Sequence, residues 1–282
     1  MHAATLAAWH QFSEPLEGRV HSLYVDVKGL VTTGVGNLID SMAPALQLPW
    51  RRVSDVAQLI ATDDDPLASA ADIAAAWNGL KAQRDKFAKL HWKYAAKLNN
   101  LRLTDGAVDA LVERVLRGNV ATLRRTFVNW DALPADAQLG ILSMAWAVGT
   151  GFPKIFGNFT RAALAGDWTG AAASCKIRDG LDTPSKADDN PGIVPRNAAN
   201  RLCFANAALV LKGGFDIDRL YWPNVVPPGS KATELMADAK EAIEARDVFD
   251  AAMKKFTETE FARVRLGFGA AALEEYEKAE ET

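Results

Sequence analysis

One short stretch, residues 17–39, constrains the fold more than any other part of the chain. It reads EGRVHSLYVDVKGLVTTGVGNLI and contains two runs of strand-forming residues, 23–27 and 30–35, on either side of Lys28-Gly29. β-Branched and aromatic residues favour strands, and a glycine between two such runs favours a tight turn. The sequence therefore predicts a β-hairpin at this position.

Three polar side chains in and just before the predicted hairpin can share one cleft. Glu17 ends an Ala- and Leu-rich segment that is typical of a helix, Asp26 lies on the first strand, and Thr32 lies on the second. Cleavage of a glycosidic bond needs one protonated carboxyl to protonate the leaving oxygen and a second group to direct a water. A carboxyl among apolar neighbours suits the first task, and an exposed, ionised carboxylate suits the second. These residues therefore suit a glycosidase.

The complete motif resembles that of the phage-type lysozymes, the muramidases of glycoside hydrolase family twenty-four. Their signature is a Glu-Gly at the end of the first helix, followed by Tyr-x-Asp-x-x-Gly-x-x-Thr-x-Gly-x-Gly-x-Leu. The chain matches this signature without a gap, at Glu17, Gly18, Tyr24, Asp26, Gly29, Thr32, Gly34, Gly36 and Leu38.

The resemblance implies a role for each of five residues. Glu17 would be the general acid, and Asp26 with Thr32 would position the attacking water. Leu38 would line the sugar cleft, and Trp146 falls where the family carries an aromatic or apolar cleft residue. The implied activity is inverting hydrolysis of the β-1,4 bond between N-acetylmuramic acid and N-acetylglucosamine, by a monomer that needs no cofactor and no metal.

Later segments match the family in the expected order and imply its fold. Residues from Thr104 resemble the helix that opens the family's helical lobe, and 130–149 and 192–204 resemble two later helices. The implied fold is α+β and predominantly α-helical, a two-lobed lysozyme-like fold with a small N-terminal β lobe, a helical lobe and extra helices. We expect a catalytic domain over 1–228, with an inserted helical segment at about 41–102, and a C-terminal helical extension over 229–282.

The chain departs from the family at three polar positions. Asn37 stands where many members have a histidine, so we expect the family's structural His–Asp pair to be missing. Asn197 and Asn200 replace an Arg and a Glu, so we expect the family's buried ion pair to be missing too.

Hydrophobic periodicity predicts several helices outside the motif. Apolar residues recur at three- and four-residue steps over 70–98, which predicts one long amphipathic helix with His91 as a packing residue. Residues 134–148 are apolar nearly all round, which predicts a buried central helix. Gly118-Asn119 is expected to interrupt the helix that begins near Thr104. Two cysteines, Cys175 and Cys203, do not make a disulfide framework, and we expect free buried thiols.

Charge and hydropathy suggest where the protein acts. The formal net charge is −3, with basic residues concentrated over 76–125 and acidic ones after 229. The basic stretch indicates a solvated helix face or a contact with an anionic polymer such as the cell wall; we expect no nucleic-acid partner. No run approaches the roughly 20 apolar residues of a transmembrane helix, and the first residues lack the pattern of a signal peptide.

These features predict synthesis in the cytoplasm and action on peptidoglycan in the periplasm. The chain would be either a phage endolysin released through a holin or an antibacterial effector delivered by a secretion system, with peptidoglycan glycan strands as substrate and a delivery or immunity protein as a further partner. Two other activities remain open: a lytic transglycosylase acting on the same bond, which also needs one Glu acid but no water, and an inactive wall-binding module.

Overall fold

The protein is predominantly α-helical with a small antiparallel sheet, which confirms the α+β class. A computed structural model describes residues 1–26, 28–88, 90, 92–178, 193–227 and 234–266. The helices are α1 (Ala3–Glu17), α2 (Met42–Leu46), α3 (Ala70–Ala82), α4 (Arg84–Phe87), α5 (Trp92–Ala96), α6 (Asp105–Leu123), α7 (Ala135–Val148), α8 (Phe152–Ile155), α9 (Gly157–Leu164), α10 (Trp168–Ser174), α11 (Ile193–Gly213) and α12 (Met236–Leu266), with a 3₁₀ turn at Trp130–Ala132.

The strands belong to two small sheets. β1 (Val20–Val25), β2 (Val31–Gly34) and β3 (Asn37–Leu38) form an antiparallel sheet in that order, and β4 (Arg51–Arg52) pairs with β5 (Leu101–Arg102). The hairpin predicted from the sequence is confirmed as β1 and β2, and β3 extends it by one short strand. Over the described ranges, no helix is both long enough and apolar enough to cross a membrane.

The described chain forms two compact units. One contains Met1–Leu16 and Leu116–Thr259, and the other contains Glu17–Val115 together with the described end of α12 from Glu260. In the first unit α7 is the buried centre, as predicted: every residue from Ala135 to Ala145 is buried. A helix that is apolar on all sides must be covered on all sides, and α11 is the longest of the helices that pack on it.

Helices α7 and α11 approach closely at a glycine. A Cβ on Gly140 would lie 2.7 Å from the ring of Phe204. Phe204 is fully buried, and its ring lies 4.9 Å from that of Phe159 and 6.0 Å from that of Trp168, measured between centroids. Because the ring is held between two other aromatic rings, it has little room to move. Gly140 is therefore required for the close packing of the two helices.

A buried carboxylate ties the segment after α11 to the first turn of α7. Asp136 is fully buried and accepts hydrogen bonds from the backbone N–H groups of Tyr221 and Trp222, both at 2.9 Å, and from the side chain of Asn206 at 3.1 Å. Asn206 also binds the backbone of Asn224 and Val226. Burial raises the pKa of Asp136 to about 6, against the lowering effect of its hydrogen bonds.

The first part of α12 packs on the end of α11. Leu235, Ala239 and Ala242 belong to one buried cluster with residues of α11 and with Val226. Ion pairs from Arg201 to Glu241 and from Lys212 to Asp238, each 2.7 Å, reinforce this contact. The expected division into a domain over 1–228 and an extension over 229–282 stays a prediction, and residues 229–233 and 267–282 lie outside the described residues.

In the second unit, the expected insertion at about 41–102 is closed by the pairing of β4 with β5. A buried arginine holds its interior. All five N–H donors of the Arg102 guanidinium reach backbone carbonyls at 2.8 to 3.0 Å, on Val56, Gln58, Ala96, Asn99 and Leu101. Burial lowers the pKa of this group. Carbonyl dipoles satisfy the donors that would otherwise make a buried cation very costly.

Two helix predictions were wrong. The expected long helix over 70–98 is three helices, α3, α4 and α5. The buried residues Ala95 and Ala96 lie in α5, which contacts β1, so tertiary packing outweighs the continuous helical pattern. Conversely, the expected interruption at Gly118 is absent from α6, which continues to Leu123. Val120 and Leu123 keep the spacing of the buried residues of the helix, and one glycine lowers helix stability by only about 1 kcal/mol. His91 lies outside the described residues.

Cys175 and Cys203 are free and buried, as predicted. Asn197 makes two hydrogen bonds to the backbone of Ile177, at 2.7 and 2.8 Å, and so pins the chain after α10 to α11. Asn200 is fully buried, and its side chain has no hydrogen-bond partner in the described part of the chain. Neither asparagine makes a contact that substitutes for the ion pair expected to be missing at these positions.

We expect opposite effects from two Gly→Ala substitutions in helices. Gly140→Ala should lower the free energy of unfolding by about 1–3 kcal/mol, because the new methyl group would overlap the held ring of Phe204. Gly118→Ala should raise it by about 0.5–1 kcal/mol, because a Cβ there meets nothing within 4 Å and alanine favours the helix. Urea unfolding followed by circular dichroism measures both. Equal effects of the two substitutions would contradict this packing.

Asp136 should make stability depend on pH in the acidic range. Its folded pKa of about 6 lies above the ordinary value of 3.8, so the folded protein binds the proton more tightly than the unfolded chain does. The stabilisation is complete below about pH 4 and is lost as the pH rises through about 6, a change of about 3 kcal/mol. The unfolding free energy of the parent, relative to that of Asp136→Asn, should therefore fall by about 3 kcal/mol as the pH rises from 4 to 7. Parallel curves would contradict the assignment, and the exposed-site variant Asp64→Asn should follow the parent throughout.

Candidate functional site

Glu17 is held at the end of a helix by the glycine that follows it. It is the last residue of α1 and is half-buried. Gly18 has φ of 78°, the left-handed conformation with which helices commonly end and which glycine adopts without strain. The helix therefore stops at Glu17, and the chain turns at once into β1, which begins two residues after Gly18.

Asp26 closes the hairpin turn between β1 and β2. Its Oδ1 accepts hydrogen bonds from the backbone N–H of Lys28 at 2.8 Å and from that of Leu30 at 2.9 Å. Its own backbone N–H donates to Leu30 O, and its carbonyl accepts from Gly29 N, both at 2.9 Å. Because both side-chain bonds use Oδ1, Oδ2 can accept a hydrogen bond from a ligand or water. Asp26 therefore shapes the turn and still offers a carboxylate oxygen.

The register of the sheet places the motif residues on one face. Tyr24 on β1 lies opposite Thr32 on β2, and Thr32 lies opposite Leu38 on β3. Directly opposed residues of antiparallel strands project to the same face, and side chains alternate along a strand. Asp26 pairs with Leu30 through the backbone, two residues beyond Tyr24, and so shares this face. Four motif residues therefore form one continuous surface.

The opposite face of the sheet is core. Val25, Val31 and Thr33 alternate with the motif residues and are at most 4% exposed. By contrast, Leu38 on the motif face is 60% exposed, and its role in a sugar cleft stays a prediction. Thr32 is only 4% exposed, and its hydroxyl donates to Leu30 O at 3.1 Å. Its oxygen can therefore act as an acceptor.

Tyr24 links the two carboxylates electrostatically. Burial raises the pKa of its phenol well above the usual range, and the negative charges of Glu17 and Asp26 raise it further. The two acids therefore lie near enough to the same phenol oxygen to act on it. At neutral pH the phenol is uncharged and can donate a hydrogen bond.

The second turn of the sheet depends on Gly34 and Asn37. Asn37 Oδ1 accepts the backbone N–H of Val35 at 2.9 Å. Gly34 has φ of 64°, and a Cβ on it would lie 2.5 Å from that oxygen. Asn37 therefore closes a turn instead of pairing with an acid, as its departure from the family suggested. A His–Asp contact does exist elsewhere in this unit, between His21 Nε2 and Asp105 Oδ1 at 3.0 Å.

An ion pair that the sequence did not reveal attaches the insertion to the sheet. Asp40 Oδ1 accepts the backbone N–H of Val31 at 2.8 Å and also pairs with Lys81 of α3. One turn earlier on α3, Trp77 Nε1 donates to Ile39 O at 2.9 Å. Burial disfavours the charged form of Asp40. The hydrogen bonds from Lys81 and Val31 outweigh this effect and hold the pKa of the carboxyl below its usual range.

This attachment bears directly on the candidate site. Val31 precedes Thr32, and its carbonyl accepts Ile39 N at 2.9 Å, next to Leu38. Asp40 and Lys81 therefore fix the start of β2 and the end of β3, and with them Thr32 and Leu38. No spacing in the sequence connects residues 40 and 81, since their proximity depends on how the insertion folds back.

Trp146, the fifth predicted residue, belongs to the other unit. It is half-buried near the end of α7, and its ring centroid lies 5.0 Å from that of Trp9. Glu17, Asp26, Thr32 and Leu38 all belong to the unit that contains the sheet. The role of Trp146 in a sugar cleft stays a prediction.

Comparisons with known proteins give no family assignment. No protein-family model matches the chain, no curated protein matches its sequence significantly, and no solved structure matches its fold significantly.

Loss of the Lys81 ammonium should weaken the sheet in a pH-dependent manner. Lys81→Met should lower the free energy of unfolding at pH 7 by about 1–2 kcal/mol, because it leaves a partly buried carboxylate without its partner. The lowered pKa of Asp40 stabilises the fold above the ordinary value of 3.8 and ceases to do so as the pH falls through its folded pKa. The loss should therefore shrink at pH 3. Lys97→Met, which removes an exposed lysine of the same insertion, is the control for urea unfolding at both pH values.

Proposed function

We propose that the chain is a muramidase that hydrolyses the β-1,4 bond between N-acetylmuramic acid and N-acetylglucosamine in peptidoglycan. The observation that carries the proposal is the sheet register, which aligns Tyr24, Thr32 and Leu38 in one row, with Asp26 on the same face and Glu17 close enough to act on Tyr24. The uninterrupted lysozyme-type motif in residues 17–38 supports the same function.

The proposed reaction uses Glu17 as general acid. Its proton passes to the glycosidic oxygen as the bond to the anomeric carbon breaks, and a water attacks that carbon from the opposite side. Asp26 Oδ2 takes one proton of the water. Because the Thr32 hydroxyl already donates to Leu30 O, its oxygen accepts the other hydrogen of the water. The water then directs a lone pair at the sugar, and the anomeric configuration is inverted.

The neutral phenol of Tyr24 has a place in this scheme. Burial and then the charges of Glu17 and Asp26 raise its pKa, so that the phenol keeps its proton at neutral pH. A phenol O–H can donate to Asp26 or Glu17 and adds no negative charge to the site. We assign Tyr24 the role of positioning these carboxylates.

The proposed fold and setting follow from the same motif. The chain would have the two-lobed lysozyme-like architecture, with the insertion at about 41–102 and the C-terminal extension as additions. It would reach the periplasm as a phage endolysin or as a delivered antibacterial effector. A delivery or immunity protein would be a further partner.

Substitution of the two acids should abolish clearing of cell walls. Glu17→Gln and Asp26→Asn should each lower the rate of turbidity loss about 100- to 10,000-fold, because each removes one proton-transfer group. Asp64→Asn, which changes an exposed acid of the same unit, should clear walls at the parent rate. Circular dichroism checks that each variant is folded. Equal activity of Glu17→Gln and the parent would refute the role of Glu17.

The products separate hydrolysis from the transglycosylase alternative. Mass spectrometry of digested peptidoglycan should show reducing N-acetylmuramic acid ends, with water added across the bond. Anhydro-muramic ends would instead indicate a lytic transglycosylase. A folded parent protein that releases neither product from peptidoglycan would indicate a non-catalytic wall-binding module.

A further inference from the structure

Two exposed basic side chains lie on the hairpin turn that carries Asp26. Lys28 is exposed, and its backbone N–H is one of the donors to Asp26 Oδ1. Arg84 is the first residue of α4, in the insertion. Its Cδ and Cγ lie 3.9 and 4.0 Å from the position that a Cβ on Gly29 would take. The insertion therefore brings a second basic residue onto the turn, against the residue that follows Lys28.

The stem of Arg84 passes the turn within van der Waals reach of Gly29. The apolar stem of an arginine packs readily on a bare surface while its charged end remains in water. The side chain of Arg84 is 54% exposed, which agrees with this arrangement. The guanidinium is thus positioned by the turn but not buried, and it remains accessible to a ligand.

The segment that carries Arg84 is rich in basic residues. In residues 76–98 the sequence contains one acidic residue, Asp85, which is 94% exposed and lies 3.6 Å from Arg84. The positive charge of Lys81 is balanced by Asp40. Lys86 follows on α4, with its ammonium 5.6 Å from the centre of the Phe87 ring. At the turn itself, Lys28 and Arg84 therefore lie near two acids, Asp26 on the turn and Asp85 on α4.

We propose that Lys28 and Arg84 form an anion-binding edge of the sugar site that binds the carboxylates of the peptide stem of peptidoglycan. This inference rests on the proposed function. The sugar rings of the glycan are uncharged, and the negative charge of the substrate lies on its peptide stems. The ionised Asp26 repels those carboxylates, and cations on the same turn offset the repulsion. A guanidinium also offers two parallel N–H donors to a carboxylate.

The inference is tested by removing charge from each side of the contact. The enzyme variant is Lys28→Gln/Arg84→Gln, and the matched control is Lys154→Gln/Lys254→Gln, which removes two exposed lysines of the other unit. The substrates are soluble uncrosslinked glycan strands with peptide stems, and the same strands after their carboxylates are converted to amides with carbodiimide and ammonia. Reducing-end release gives kcat and KM.

The site variant should raise KM about five- to tenfold on native strands, as expected for two partly exposed ion pairs, with kcat little changed. The effect should disappear on amidated strands and diminish as salt is added. The control variant should behave as the parent on both substrates, and the charge-conserving variant Lys28→Arg/Arg84→Lys should retain most of the parent's KM. An equal rise in KM on native and amidated strands would overturn the inference.

A third substrate separates the stem from the sugar's own acid. Strands treated with an amidase lose the peptide and expose only the lactyl carboxylate of muramic acid. If the site variant and the parent have the same KM on these strands, the stem carboxylates are supported as the ligand. If the site variant still shows the five- to tenfold rise in KM, that assignment is overturned. A parent protein that cleaves no strand at all refutes the proposed function, and an active parent whose KM does not depend on Lys28 and Arg84 refutes this inference alone.

Discussion

The register of a three-stranded sheet determines which side chains can meet a substrate. In an antiparallel sheet, a shift of one residue moves every side chain of a strand to the other face. Such a shift in β2 would move Val31 and Thr33 out of the core to the motif face and would turn Thr32 toward the core. The pairing of Thr32 with both Tyr24 and Leu38 is therefore the condition on which the candidate site depends.

Short-range and long-range contacts together hold that register. Asp26 and Asn37 close the two turns through their own side chains, which is how these residue types commonly act in turns. Asp40 adds a contact that no turn can supply, because its partner Lys81 lies on the insertion. The insertion is thus part of the support of the sheet. Arg102 in turn holds the insertion together through backbone carbonyls.

The sequence could predict local features better than distant ones. The hairpin, the placement of Glu17 at a helix end and the buried α7 follow from residue spacing within short windows. The break of the helix predicted over 70–98 and the pairing of Asp40 with Lys81 depend on where α5 and α3 pack, which no local pattern records. Continuation of α6 through Gly118 reflects the same limit, because burial on either side of a glycine outweighs its helix propensity.

The acids around the site differ in what their contacts allow them to do. Hydrogen bonds hold the pKa values of Asp40 and Asp105 below the usual range. At Asp40, the hydrogen bonds from Lys81 and Val31 outweigh the opposing effect of burial. At Asp105, the hydrogen bond with His21 contributes most. An acid that is ionised and paired at neutral pH has no proton to give. These two carboxylates are therefore structural, although both lie in the unit that carries the sheet. Glu17 is half-buried at the end of α1, and under the proposed function it is the acid that donates the proton.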